Sequence, residues 1–122
     1  SLSRLTVVTS GDERKIEQIT KHLNKLIDVV KLVDLSESAH IERELMLIKV
    51  KAVGAQRAEV QRIADIFRGQ IVDITATALS IQVTGTSDKL DAFIAAQAEN
   101  TVLEVARTGV CGISRGDKVL TL

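Results

Sequence analysis

Between Phe67 and Phe93 the apolar and polar positions change period twice, and those changes mark the middle of the fold. Val60, Ile63, Ala64 and Phe67 recur at three- and four-residue spacing, the stripe of a helix over 55–67. Gly69 follows, where a helix favours a left-handed cap. Gln70–Thr75 reads as a strand and Ala76-Thr77 as a turn, although neither turn residue is the glycine or asparagine that two-residue turns favour. Leu79, Ile81 and Val83 then alternate with Ser80, Gln82 and Thr84, one set facing a core and the other facing water. Gly85 ends that strand. Thr86 or Ser87 can cap the next helix, whose inner face is Leu90, Phe93 and Ile94.

The flanks complete the pattern. From Ile41 a long strand places Met46, Ile48, Val50 and Ala52 on one face and Lys49 and Lys51 on the other, until Gly54 breaks it. After the helix over 87–97 comes Val102–Arg107, a last strand. Residues 41–107 therefore spell βαββαβ, an α+β ferredoxin-like unit with an antiparallel sheet in the order 4-1-3-2 and both helices on one face. Upstream, Arg4–Thr9 is a β-branched strand. Ser10 and Glu13 have capping-box spacing, and a helix from about Asp12 to Leu26 buries Ile16, Ile19, Leu23 and Leu26. Val29–Leu35 is a further strand. Residues 1–35 thus spell only the closing βαβ of the same pattern, whose two strands flank a missing central one. The expectation is that residues preceding Ser1 supply it; a second chain filling the slot, or direct pairing of the two strands, are the alternatives. Residues 36–40 read as a linker, and 41–122 as a second domain with a tail punctuated by Gly109, Gly112 and Gly116.

Composition narrows the function classes. The 122 residues carry 45% hydrophobic and 26% charged positions, the balance of a globular protein. Formal net charge is zero and only two aromatics occur, so neither a basic footprint nor a base-stacking platform for nucleic acid is present. No apolar run approaches a membrane span. A single cysteine, Cys111, forms no internal disulfide and fits a cytoplasmic location.

Candidate chemistry is sparse. His40, Glu42 and Glu44 alternate along a strand and would share a face, so a metal-responsive ferredoxin-like module is one alternative. The plainer reading is a solvated strand entrance whose charges ward off edge pairing. His22 sits at the border of its helix's apolar stripe. Cys111 lacks a recognisable base and reads as a small buried hydrophobe. Asp73 reads as a hairpin charge. The tail glycines lack the Gly-Lys-Ser/Thr ending of a phosphate loop. No catalytic constellation emerges, whereas an uncovered sheet face favours a module that pairs and binds effectors at its junctions.

Several runs in combination resemble the small, regulatory subunits of acetohydroxyacid synthase (acetolactate synthase): Leu2–Thr6 (LSRLT), His40–Val50 (HIERELMLIKV), Phe67–Asp73 (FRGQIVD), Gly85–Phe93 (GTSDKLDAF), Val105–Val110 (VARTGV) and Ser114–Lys118 (SRGDK). The stretch Gln97–Thr101 fits that family less well. The resemblance implies an ACT domain, here represented by its second half over 1–35, followed by a ferredoxin-like domain. It also implies a homodimer that does no chemistry itself but activates a large subunit and confers feedback inhibition by valine or another branched-chain amino acid. Thiamine diphosphate, magnesium and FAD are expected only in that catalytic partner, which condenses pyruvate with a second 2-oxoacid. The family's effector loop, of the Asn-x-x-Gly-x-Leu-x-Arg kind, has no matching positions here, so no effector residue is carried over. Arg68, Gln70, Arg115, Asp117 and Lys118 are the surface positions expected to meet the large subunit. Valine is accordingly expected to leave the melting midpoint of this chain unchanged in scanning calorimetry. A clear rise would place an effector site within it, because a ligand bound only to the native state must raise the midpoint.

Overall fold

Alternation along β1 (His40–Lys51) decides where the core forms. In the computed structural model, which describes residues 6, 13–24, 34–36, 39–98 and 100–120, Met46, Ile48 and Val50 are fully buried while Leu47, Lys49 and Lys51 face outward. The remaining elements are α1 (Glu13–Asn24), α2 (Ala55–Ile66), β2 (Gln70–Ile74), β3 (Ala78–Gly85), α3 (Ser87–Ala96), β4 (Val102–Arg107) and β5 (Cys111–Ser114). No helix among the described residues is long and apolar enough to cross a membrane. The chain divides into two compact units, Glu42–Val110 and Ser1–Ile41 with Cys111–Leu122.

In the Glu42–Val110 unit the sheet runs β2-β3-β1-β4, and every pairing is antiparallel. This is the ferredoxin-like order expected from the sequence, read from its other edge. Ile48 faces Ile81 and Val50 faces Leu79 across the β1–β3 pair, so the buried sets of both strands fall on one side. Val60, Ile63 and Ala64 of α2 and Leu90 and Phe93 of α3 close over them in a single cluster. Phe67 and Phe93, the chain's only aromatics, meet edge to face with ring centres 5.3 Å apart. On the opposite side of the sheet lie Lys49, Lys51, Ser80, Gln82 and Thr84, with Leu47 apolar among them.

One local detail differs from the pattern's forecast. The left-handed residue after α2 is Arg68 (φ 58°), not Gly69. Gly69's N–H donates to the Ala64 carbonyl at 2.7 Å and Arg68's to the Asp65 carbonyl at 3.1 Å, the paired bonds of a Schellman cap. Glycine is needed at 69 for space instead: a Cβ there would stand 3.0 Å from Ile81 Cγ2 and 3.1 Å from Val83 Cγ2. The hairpin turns over Ala76-Thr77 as expected, with Thr75 N–H donating to the Ala78 carbonyl at 2.9 Å in continuation of the Ile74–Leu79 register. β2 stops at Ile74, and Thr75 closes the loop with its own side chain, Oγ1 accepting from the N–H groups of Thr77 (3.3 Å) and Ala78 (3.0 Å). A threonine hydroxyl does there what a glycine turn would have done with backbone alone. Gly54, at φ 60° and ψ −132°, opens α2 in a conformation only glycine adopts easily. Thr86 rather than Ser87 caps α3, its side chain accepting from Lys89 N–H.

In the other unit, α1 matches the helix expected over 12–26 as far as it is described, with Ile16 and Ile19 half-buried. Thr6 is not in a strand. Asp34 and Leu35 belong to a turn in which Ser36 donates its N–H (3.0 Å) and hydroxyl (2.6 Å) to Asp34 Oδ1. The rest of the expected strands Arg4–Thr9 and Val29–Leu35, and the Ser10 cap, lie outside the described residues. The glycine-punctuated tail carries a short strand, β5. β5 pairs with β1, Arg115 N–H donates to the Ala39 carbonyl at 3.1 Å, and Gly112 N–H donates to Thr6 Oγ1 at 3.2 Å. Strand alternation there buries Gly112 and exposes Cys111, correcting the expectation of a buried thiol.

Arg68→Gly removes a side chain from a left-handed position and is expected to stabilise the fold by about 0.5 to 1 kcal/mol. Gly69→Ala is expected to cost about 1 to 3 kcal/mol, since the methyl groups it meets are buried and cannot retreat. Urea midpoints of the two variants measure both effects, and the opposite order would reverse the roles assigned to 68 and 69.

Candidate functional site

One charged group sits in the apolar layer. Extending the inward face of β1 from Met46 back by two residues reaches Glu44, whose side chain is 6% exposed. Burial of a carboxylate this deep requires a charge partner and filled acceptor positions. Both are supplied by elements that end nearby. Arg107, last residue of β4 and paired in register with Met46, donates from Nη2 to Glu44 Oε1 at 2.8 Å and from Nε to Oε2 at 3.1 Å. This is the two-pronged geometry in which arginine grips a carboxylate most firmly. Ser87 Oγ, at the start of α3, donates to Oε1 at 3.2 Å, and the Gly109 N–H donates to Oε2 at 3.0 Å. Arg107's other arm reaches Asp91 Oδ1 on α3 at 2.6 Å. One arginine thus ties β1, β4 and α3 together.

The electrostatics follow from the contacts. Arg107's hydrogen bonds hold the Glu44 carboxyl below the ordinary glutamate value of 4.5, opposed by burial and aided by Gly109 N–H and Ser87. The same contacts with Glu44 and then Asp91 push Arg107 above the usual arginine range, so the pair stays charged. This arrangement orients and fastens; no described group nearby offers a nucleophile with a base.

The sequence-stressed residues fall elsewhere. Arg68 and Gln70 are exposed at the α2–β2 corner of the Glu42–Val110 unit, with Gln70 opposite Gln82. Arg115, Asp117 and Lys118 are exposed in the other unit, around a turn in which Gly116 takes φ 71°. The strand-entrance reading of His40, Glu42 and Glu44 is corrected at Glu44, which is buried with both oxygens engaged. No group of three His, Cys, Asp or Glu residues placed to hold a metal occurs among the described residues. His22 and Asp73 are exposed. The Glu44–Arg107 pair went unnoticed in the sequence because its partners lie 63 positions apart. The signal available was period two itself, which puts Glu44 on the Met46 face.

Removing Arg107 while keeping Glu44 strands a buried charge, and Arg107→Met is expected to cost about 2 to 3 kcal/mol by urea denaturation. Asp91→Asn, at the exposed rim, is expected to cost about 0.5 kcal/mol or less. Because Glu44's folded pKa is depressed, its contribution is complete above 4.5 and fades as pH falls through the lower folded value. Glu44→Gln should therefore flatten the acid-side decline in stability measured down to pH about 3.

Comparison with known proteins adds an independent line. A family model described as the small subunit of acetolactate synthase matches residues 43–116. The chain is similar to the acetolactate synthase small subunit of Haemophilus influenzae, 56% identical over 119 residues, covering 97% of this chain and 73% of that protein. It is 51% identical over 121 residues to the isozyme 3 small subunit of Escherichia coli, covering 98% of this chain and 74% of that one. The crystal structure of the small subunit from Thermotoga maritima matches with a TM-score of 0.77 at 38% identity, covering 89% of this chain and 68% of that chain.

Proposed function

This chain belongs to the acetolactate synthase small-subunit family, and from that premise we propose that it is a non-catalytic regulatory subunit. It binds a catalytic large subunit, raises that subunit's activity, and passes on feedback inhibition by a branched-chain amino acid, valine first. The large subunit would carry the thiamine diphosphate, magnesium and FAD and condense pyruvate with a second 2-oxoacid. The observation that carries this reading is identity of 56% extending over 97% of the chain, through both compact units.

Regulation of this kind is a population shift. The subunit favours the active arrangement of its partner, and the effector biases that preference by its differential affinity for the two states. Residues 1–35 would stand on the effector side as part of an ACT domain, and residues 41–122 would be the ferredoxin-like module with its tail. Homodimerisation and a cytoplasmic location complete the proposal. A dimer that used the open sheet face would cover a mixed surface, with Leu47 and Ala106 among Lys49, Glu104, Gln82 and Thr84.

Acetolactate formation by a purified large subunit of the family, assayed with and without this chain, tests the reading. Addition is expected to raise the rate, and the chain alone is expected to turn over no pyruvate. Unchanged activity together with no binding in ultracentrifugation would overturn it. Alanine at Arg68, Gln70, Arg115, Asp117 and Lys118, taken singly, is expected to weaken activation at one or more positions; an unchanged scan removes them as contacts.

A further inference from the structure

Pairing between β1 and β4 runs by backbone register up to Met46 and Arg107. One step further the ladder changes character. Thr108 N–H still donates to the Leu45 carbonyl at 3.0 Å. The return bond from Leu45 N–H goes to the Thr108 hydroxyl, at 3.1 Å, and the Gly109 N–H goes to Glu44 Oε2 at 3.0 Å. Gly109 takes φ 83°, the left-handed setting of a bulge residue. Two side chains therefore stand in for backbone acceptors at one point of the sheet. One of them, Glu44, is itself held by Arg107, which is held in turn by Asp91 and by the Ser87 carbonyl at 3.5 Å.

The position of this joint gives it meaning. The chain leaves the Glu42–Val110 unit twice, between Ile41 and Glu42 and between Val110 and Cys111. The side-chain bonds lie within three residues of both exits. At this joint two side-chain bonds, lost by rotamer changes, back up a single backbone bond from Thr108 N–H to the Leu45 carbonyl. Met46, Ile48 and Val50 immediately beyond are fully buried, which confines the opening.

We propose that the Glu44–Thr108 joint is a local switch. The Glu44 carboxylate and the Thr108 hydroxyl release together, freeing Thr108–Val110 from the edge of β1, while β1 itself stays paired with β3 through Glu44–Gly85 and Leu45–Thr84. Arg107 is the positioning residue that keeps the joint shut. The switch deepens the regulatory reading and rests on it for its purpose, since the freed segment is one through which the chain leaves the Glu42–Val110 unit.

Hydrogen–deuterium exchange on the full chain tests it, comparing Thr108→Val, Thr108→Ser and Arg107→Met with the unsubstituted protein. Thr108→Val keeps the branched shape and removes the hydroxyl. It is expected to speed exchange at Leu45 and across 108–110 by about tenfold, the loss of one good hydrogen bond, with Leu79–Val83 unchanged. Thr108→Ser should restore slow exchange, which a merely space-filling role for Thr108 would not predict. Arg107→Met should reproduce the local pattern and add Gly109. Faster exchange spread evenly over β1 and β3, or none at the joint, overturns the switch. These readings need no large subunit, so failure of the unsubstituted chain to activate one would sink the regulatory reading alone.

Discussion

A carboxylate inside an apolar layer is tolerated only if its charge and lone pairs are both answered, and the Glu42–Val110 unit is arranged around meeting that demand at Glu44. Four donors from three separate places converge on it: two from the Arg107 guanidinium, one from Ser87 and one from the Gly109 backbone. Each donor fixes the end of an element. Arg107 fixes where β4 stops, Ser87 where α3 starts, and Gly109 where the chain turns away. A hydrophobic residue at 44 would bury as well but would define none of these ends. The pair's contribution is therefore more to geometry than to net stability, as is usual for buried ions.

The same economy recurs at the corners. No proline is present anywhere, and several turns lack glycine where a turn would ordinarily recruit it. Side chains fill in: Thr75 closes the β2–β3 loop, Thr86 caps α3, and Asp34 gathers Ser36. At Arg68 the backbone itself accepts the left-handed strain, because the neighbouring glycine is committed to making room for Ile81 and Val83. Local rules and packing compete at that corner, and packing decides which residue is the glycine.

That competition also explains how much could be read in advance. The element order, the 4-1-3-2 sheet and the buried faces of β1, β3, α2 and α3 follow from periodicity, since period two and period 3.6 are properties of neighbouring residues. The family likeness was equally legible, carried by runs such as FRGQIVD. What escaped were facts set by distant partners. Glu44 looks like a surface charge until Arg107 is known to arrive beside it. Cys111 looks like a buried thiol until the strand phase of Val110–Ser114 is fixed, and glycine at 112 hides that phase by offering no hydrophobicity of its own. β5 escaped for the same reason: its neighbours in the sequence give no hint of its pairing with β1. The surface positions Arg68, Gln70, Arg115, Asp117 and Lys118 are placed, but their partners belong to another molecule.

The outward orientation of Cys111 has a practical corollary. As the chain's sole thiol, exposed and two positions past Gly109, it accepts a maleimide fluorophore or nitroxide without any engineered cysteine. An attached probe would sit just outside one of the chain's two passages between compact units. The native sequence thus comes with its own spectroscopic handle where internal motion would be most informative.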